Sequence, residues 1–289
     1  MPRVHIAGFD GSEAATAAVR FARRLATAPE DEVIAATVHR TVPYALAPGP
    51  SAGADAALVE EIRRDAVDLL DTLAVEGVRK EVVAADSPAQ GLHRLAEEEG
   101  AHLVAVGVTH RSAIGRLMIG GVGDKLLHGA PCPVAVVPAG WEPAEIRRIG
   151  VAFDVRDESA AAVKEAEALA LRLNAQLVVI GVYEAAAYLW LTSPAPAPHP
   201  WDRSELREAF DADLQRVVDG LDPAVQAQPR TLSGLPGPTL VEASGQGLDL
   251  LVMGSRGYGP IGSVLLGSVS RYVADHAVSP VLVIPRTAR

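Results

Sequence analysis

The chain has 289 residues, enough for two ordinary domains, and its 49% hydrophobic and 21% charged residues are too apolar a mix for disorder. Aromatics make up only 4% and the formal charge is -10, which argues against stacking on single strands and against binding a phosphate backbone. The acidic excess is shared, with 13 Lys and Arg against 20 Asp and Glu in residues 1–145, and 13 against 16 in residues 146–289. No nucleic-acid partner is expected. Met1-Pro2-Arg3 leads into a short apolar stretch broken by Asp10, so no secretory leader is expected, and no apolar run reaches about 18 residues without interruption. A cytoplasmic protein with no membrane partner is therefore expected. The single cysteine, Cys132, excludes an intramolecular disulfide, and its place before Pro133 suits a buried, inert thiol. No Cys/His spacing resembles a metal site, and no residue set spells a catalytic group.

In chain order, residues 4–9 read as a strand, 13–28 as an Ala-rich helix and 32–38 as a second strand. A Pro/Gly-rich loop at 43–53 precedes a charged helix at 55–75 and a third strand at 80–85. A helix at 88–99, a strand at 102–107, a helix at 120–128 and a strand at 133–137 complete the first half. Residues 139–145 read as linker. The second half repeats the order: strands at 149–153, 176–182, 225–232, 249–254 and 280–284, with helices at 158–173, 202–219, 238–245 and 267–276. Pro88 and Pro238 are expected at first helical positions.

The halves are copies. Val4 to Asp10 matches Arg148 to Asp154 at an offset of 144, and Val38 meets Val182 at the same offset. Further on the offset is 147, aligning Gly107 with Gly254, Gly120 with Gly267 and Pro133 with Pro280. Over residues 107–138 and 254–285, 10 of 32 positions are identical, which implies a duplicated domain. Short apolar strands alternating with amphipathic helices predict two α/β domains, 1–140 and 146–289. Each is expected to be an open, doubly wound, five-stranded parallel sheet with helices on both faces.

Ligands of such sheets bind beyond the carboxyl ends of strands, where the strand order reverses. In the second half the first strand ends in Ala152-Phe153-Asp154, and the fourth ends in Met253-Gly254-Ser255-Arg256-Gly257. Gly254 and Gly257 permit close approach of backbone to a ligand. A helix starting near Gly267 offers free N–H groups to an anion, and the hydroxyls of Ser268 and Ser270 add two donors expected to aim at phosphate oxygens. A di- or triphosphate fits this set. Gly257-x-Gly259-x-x-Gly262 also spells a dinucleotide fingerprint, but it follows a fourth strand and holds Pro260 at the helix start.

The pattern Gly254-x2-Gly257-x9-Gly267-Ser268, with the closing run Ser279 to Pro285, resembles the ATP-binding subclass of the universal stress protein family in its tandem form. In the first half Asp10-Gly11-Ser12-Glu13 resembles the family's opening signature. The resemblance implies a regulatory protein that binds ATP, with Mg2+ carried by the phosphates. Adenosine would lie by Ala152, Asp154 and Val182. The phosphates would lie by Met253, Gly254, Gly257, Gly267, Ser268, Val269 and Ser270. Weaker counterparts in the first half are Asp10, Val38, Gly107, His110 and Gly120. There His110 replaces the second glycine, while Gly121 and Gly123 replace both serines. His110 either contacts phosphate or marks a decayed site, and Arg256 either pairs with phosphate or faces water. A slow ATP hydrolase or nucleotidyl transferase, and a partner-docking protein with vestigial sites, stay open as alternatives. The protein partner is unspecified.

The resemblance also implies that the two final strands pair across a pseudo-twofold, making an intramolecular pseudo-dimer and leaving room for further homo-oligomers. Residues 146–289 expressed alone should then dimerise through the apolar strand at 280–284. Sedimentation that finds a stable monomer of this fragment would count against that pairing.

Overall fold

The alternation of apolar strand and Ala-rich helix folds, in the computed structural model, into two units, Met1–Glu142 and Pro143–Arg289. The structure describes residues 2–41, 52–110, 117–118, 121–142, 145–154, 159–183, 203–255 and 266–285. In the first unit the elements run β1 (Val4–Gly8), α1 (Glu13–Leu25), β2 (Glu32–Arg40), α2 (Ala52–Asp71), β3 (Arg79–Ala85), α3 (Pro88–Glu98), β4 (Leu103–His110), β5 (Leu117–Met118), α4 (Gly121–Leu127) and β6 (Val134–Pro138). Its sheet order is β3-β2-β1-β4-β6, all parallel, with β5 added antiparallel on β4.

The second unit repeats the plan as β7 (Arg148–Phe153), α5 (Ala160–Leu173), β8 (Gln176–Tyr183), α6 (Arg203–Asp219), β9 (Ala227–Ser233), α7 (Pro236–Ser244), β10 (Leu250–Gly254), α8 (Ser268–His276) and β11 (Val281–Ile284). Its order is β9-β8-β7-β10-β11, again parallel. The α/β class and the two copies therefore agree with the expectation, while β5 is an antiparallel addition to the five parallel strands expected of the first unit.

Helices cover both faces of each sheet because strand residues alternate sides. Gly8 meets Leu92 of α3 on one face, while Gly107, whose parity is opposite, meets Ala14 of α1 on the other. Likewise Gly181 faces Phe210 and Leu214 of α6, and Gly150, of opposite parity, faces Leu248 just past α7. With few aromatics available, the cores are built from aliphatics such as Ile6, Ile34, Leu126, Ile149, Ile180 and Leu251. Trp141 lies edge-on to Phe21 at 5.2 Å and anchors the end of the first unit onto α1.

Helix starts follow local chemistry. Ser12 caps α1, its hydroxyl accepting from the Ala15 N–H at 3.1 Å, while Asp10 Oδ1 accepts from the Ser12 N–H at 3.0 Å. Gly11 makes this turn at φ +80. Ser87 caps α3 with Pro88 next, as expected, but α7 begins at Pro236 and not at Pro238. Both prolines suit a first turn, and the earlier one sets the start. Helix α2 stops at Asp71 rather than at residue 75, where Thr72 and Leu73 bond back to Leu69 and Leu70.

One glycine has a packing reason. A Cβ on Gly107 would stand 2.2 Å from the backbone C and O of Ala14 and 2.6 Å from the Ala15 nitrogen. Backbone cannot yield as a side chain can, so α1 lies this close to β4 only because Gly107 lacks a Cβ. Gly107→Ala should destabilise the first unit by about 2 kcal/mol, as overpacking does. Urea unfolding of the variant checks this, and an unchanged midpoint would show that α1 can move away freely.

Candidate nucleotide site

In the second unit the strand order reverses between β7 and β10, since β7 pairs with β8 on one side and β10 on the other. Leu250, Leu251 and Val252 lie beside Ile149, Gly150 and Val151. Continuing that register sets Met253 and Gly254 beside Ala152 and Phe153, with Asp154 one residue beyond. Met253 is buried, whereas Ala152, Asp154 and Gly254 are half-buried at the carboxyl edge. Val182, also half-buried, sits near the end of β8, past the Ala152 to Ile180 and Phe153 to Gly181 pairs.

Helix α8 brings the second part of the site. Its N-cap is Gly267, extended at φ −65 and ψ 153, and a glycine has no side chain with which to cap the first turn. Ser268 is exposed, Val269 half-buried and Ser270 buried. The Ser270 hydroxyl donates to the Gly254 carbonyl at 2.8 Å, which fastens this first turn to the end of β10. Sequence spacing alone does not reveal that link, because 16 residues separate the partners. On the other side Ser159, at the start of α5, donates its hydroxyl to the Asp154 carbonyl at 2.6 Å. Ser159 went unmarked in the sequence, where it is one polar residue opening an Ala-rich helix.

Several expected roles change. The Ser270 proton points at a protein carbonyl, so of the two hydroxyls expected to aim at phosphate only that of Ser268 stands exposed. Gly257 and Arg256 lie outside the described residues, as does Gly120.

In the first unit Gly107 serves the packing of α1. His110 does not occupy a glycine-like turn: β4 runs on through it and pairs it with Leu117 of β5. Asp10 is exposed and engaged by the Ser12 N–H. Val38 packs under α3, where a Cβ on Gly91 would stand 2.6 Å from its Cγ1. Helix α4 spans only seven residues. Among the described residues of the first unit, then, Gly107 is taken up by helix packing and Asp10 by the turn before α1.

Burial pushes the Cys132 thiol up to about 12, which suits an inert residue. Among the described residues no three His, Cys, Asp or Glu side chains gather in a metal-holding cluster. No helix among them is long and apolar enough to cross a membrane.

The model of the universal stress protein family matches residues 3–138 and matches again over residues 145–285. The chain belongs to the universal stress protein family. It is a tandem member. A universal stress protein of Mycolicibacterium smegmatis is 28% identical over 296 residues, covering 96% of both chains. A universal stress protein of Thermus aquaticus is 32% identical over 145 residues, covering 48% of this chain and 98% of its own. A universal stress protein structure from Archaeoglobus fulgidus superposes with a TM-score of 0.68 at 18% identity, over 97% of both chains. At that identity the likeness is one of fold.

Proposed function

We propose that this universal stress protein is a nucleotide-binding regulator that holds one ATP in its second unit, at the carboxyl ends of β7 and β10. The observation that carries this reading is the first turn of α8, which opens on a glycine and is fastened to the end of β10 at the point where the strand order reverses. A helix start there presents backbone N–H donors and the positive end of the helix dipole to an anion. Gly267, Ser268, Val269 and Ser270 would give those donors, with Gly254, Met253 and Gly257 lining the approach. Asp154 would take the ribose hydroxyls, while Ala152 and the backbone at Val182 would border the base. The donor set suits phosphate oxygens, and Mg2+ would enter with them.

Gly267→Val tests the phosphate end. A β-branched side chain at the N-cap crowds the approach to the first turn, so ATP affinity should fall at least about tenfold, or about 1.4 kcal/mol. Calorimetry on a folded variant that finds unchanged affinity would remove the helix start from the site.

A further inference from the structure

We infer that Ser159 and Ser270 are positioning residues of the nucleotide site, tying two helix starts to the two strand ends that flank the switch point. The inference rests on the reading above and concerns how the site keeps its shape. Both serines are buried, at 5% and 4% exposure, and each donates to a strand-end carbonyl, Asp154 O at 2.6 Å and Gly254 O at 2.8 Å.

The direction of these bonds matters. Ser12 in the first unit turns its oxygen toward its own helix and accepts from Ala15 N–H, consuming a first-turn donor. Ser159 turns its proton to the Asp154 carbonyl instead, and Gly267 before α8 has no side chain with which to cap. In the second unit, then, both hydroxyl protons go to strand-end carbonyls. A carbonyl oxygen is an acceptor and repels an approaching phosphate oxygen. A hydroxyl proton placed on it weakens that repulsion and sets the spacing between helix start and strand end. The duplicate positions in the first unit are Ala15, at the offset of 144, and Gly123, at the offset of 147. Neither carries a hydroxyl, so both ties are confined to the unit that keeps the phosphate motif.

A hydroxyl has one proton, so Ser270 cannot give it to Gly254 and to phosphate together. That separates bracing from direct contact. We would compare the full-length protein with Ser159→Ala, Ser270→Ala, Ser159→Thr and Ser270→Thr, by amide exchange without ligand and by ATP calorimetry. Each Ala variant should raise ligand-free exchange in the helix start it serves, residues 159–163 or 267–272, by about tenfold. It should also weaken ATP binding at least tenfold, and the Thr variants should restore both. Weakened ATP binding with unchanged ligand-free exchange would make the serine a direct ligand and overturn the inference. Unchanged ATP affinity in folded Ala variants of a binding-competent protein would overturn it alone. Wild-type protein that fails to bind ATP would instead remove the functional reading, and this inference with it.

Discussion

Acidification from about pH 7 to about pH 4 should cost the first unit about 3 kcal/mol of stability through one residue, His5. His5 stands in the central strand β1 with 2% exposure, beside Val33 of β2 and Leu103 of β4. Its parity is opposite to Gly8, so it points to the α1 face, and neither ring nitrogen has a hydrogen-bond partner. Burial pushes its pKa from 6.5 down to about 4, with the Asp31 carboxylate opposing the shift and His102 and Arg3 adding to it. The folded state therefore holds the imidazole neutral where the unfolded chain would protonate it. Stability is complete above about pH 6.5, falls as pH drops through that value, and stops falling near pH 4, where the folded imidazole takes its own proton. Asp31 does not blur this window. Desolvation raises its pKa, but N–H bonds from Ala28, Arg3 and Thr27 outweigh that and hold it below 3.8, so its own loss lies at lower pH.

The duplicate position in the second unit is Ile149, also fully buried. Acid should thus loosen β1, β2 and β4 before β7, β8 and β10, and His5→Ile should remove most of the difference. Urea unfolding at both pH values, with amide exchange read separately in each unit, checks this. A His5→Ile protein that loses as much stability in acid as the wild type would sink the assignment.

His5 also marks where sequence reading stops. The run Val4 to Gly8 reads as a buried strand, and it is one, because β-branched and small residues at that spacing fit a two-sided sheet whatever the fifth residue is. Whether an imidazole in such a run finds a partner depends on neighbours about 28 and 98 positions away, Val33 and Leu103, which no local pattern encodes. Element order, duplication and the carboxyl-edge placement of Asp154 and Gly254 were legible for the opposite reason: each follows from periodicity or repeat. The two-residue strand β5 has too few residues to show a period, and it was missed. Gly107 reads as a weaker counterpart of Gly254 because a glycine at a strand end looks the same whether a phosphate or a helix backbone approaches it. The Ser270 hydroxyl was read as a phosphate donor because helix starts suit anions, but the carbonyl of Gly254 lies within reach and takes the proton.

The two units should bind nucleotide unequally, with the first weaker by at least about a hundredfold, or about 2.7 kcal/mol. Three local differences add up to this. Ser268, the exposed hydroxyl at the start of α8, aligns with Gly121, and losing one charge-assisted bond to phosphate costs about 1.5–3 kcal/mol. The nine-residue helix α8 is matched by the seven-residue α4, which offers a shorter dipole to an anion. Strand β10 ends at Gly254, whereas β4 continues three residues past Gly107 and pairs with β5, so the two strands end differently. At the adenosine end the contrast is smaller: Asp10 remains, though its Oδ1 already accepts from Ser12, and Val38 remains at the end of β2. A residual nucleoside affinity in the first unit is compatible with that; a phosphate-dependent one is not. Calorimetric titration should therefore give one ATP per chain at micromolar nucleotide, and Gly267→Val should weaken that single event at least about tenfold while leaving the fold intact. Two equivalent sites in the wild-type titration would sink the expectation, and would require the first unit to grip phosphate through groups other than Gly107, His110 and the start of α4.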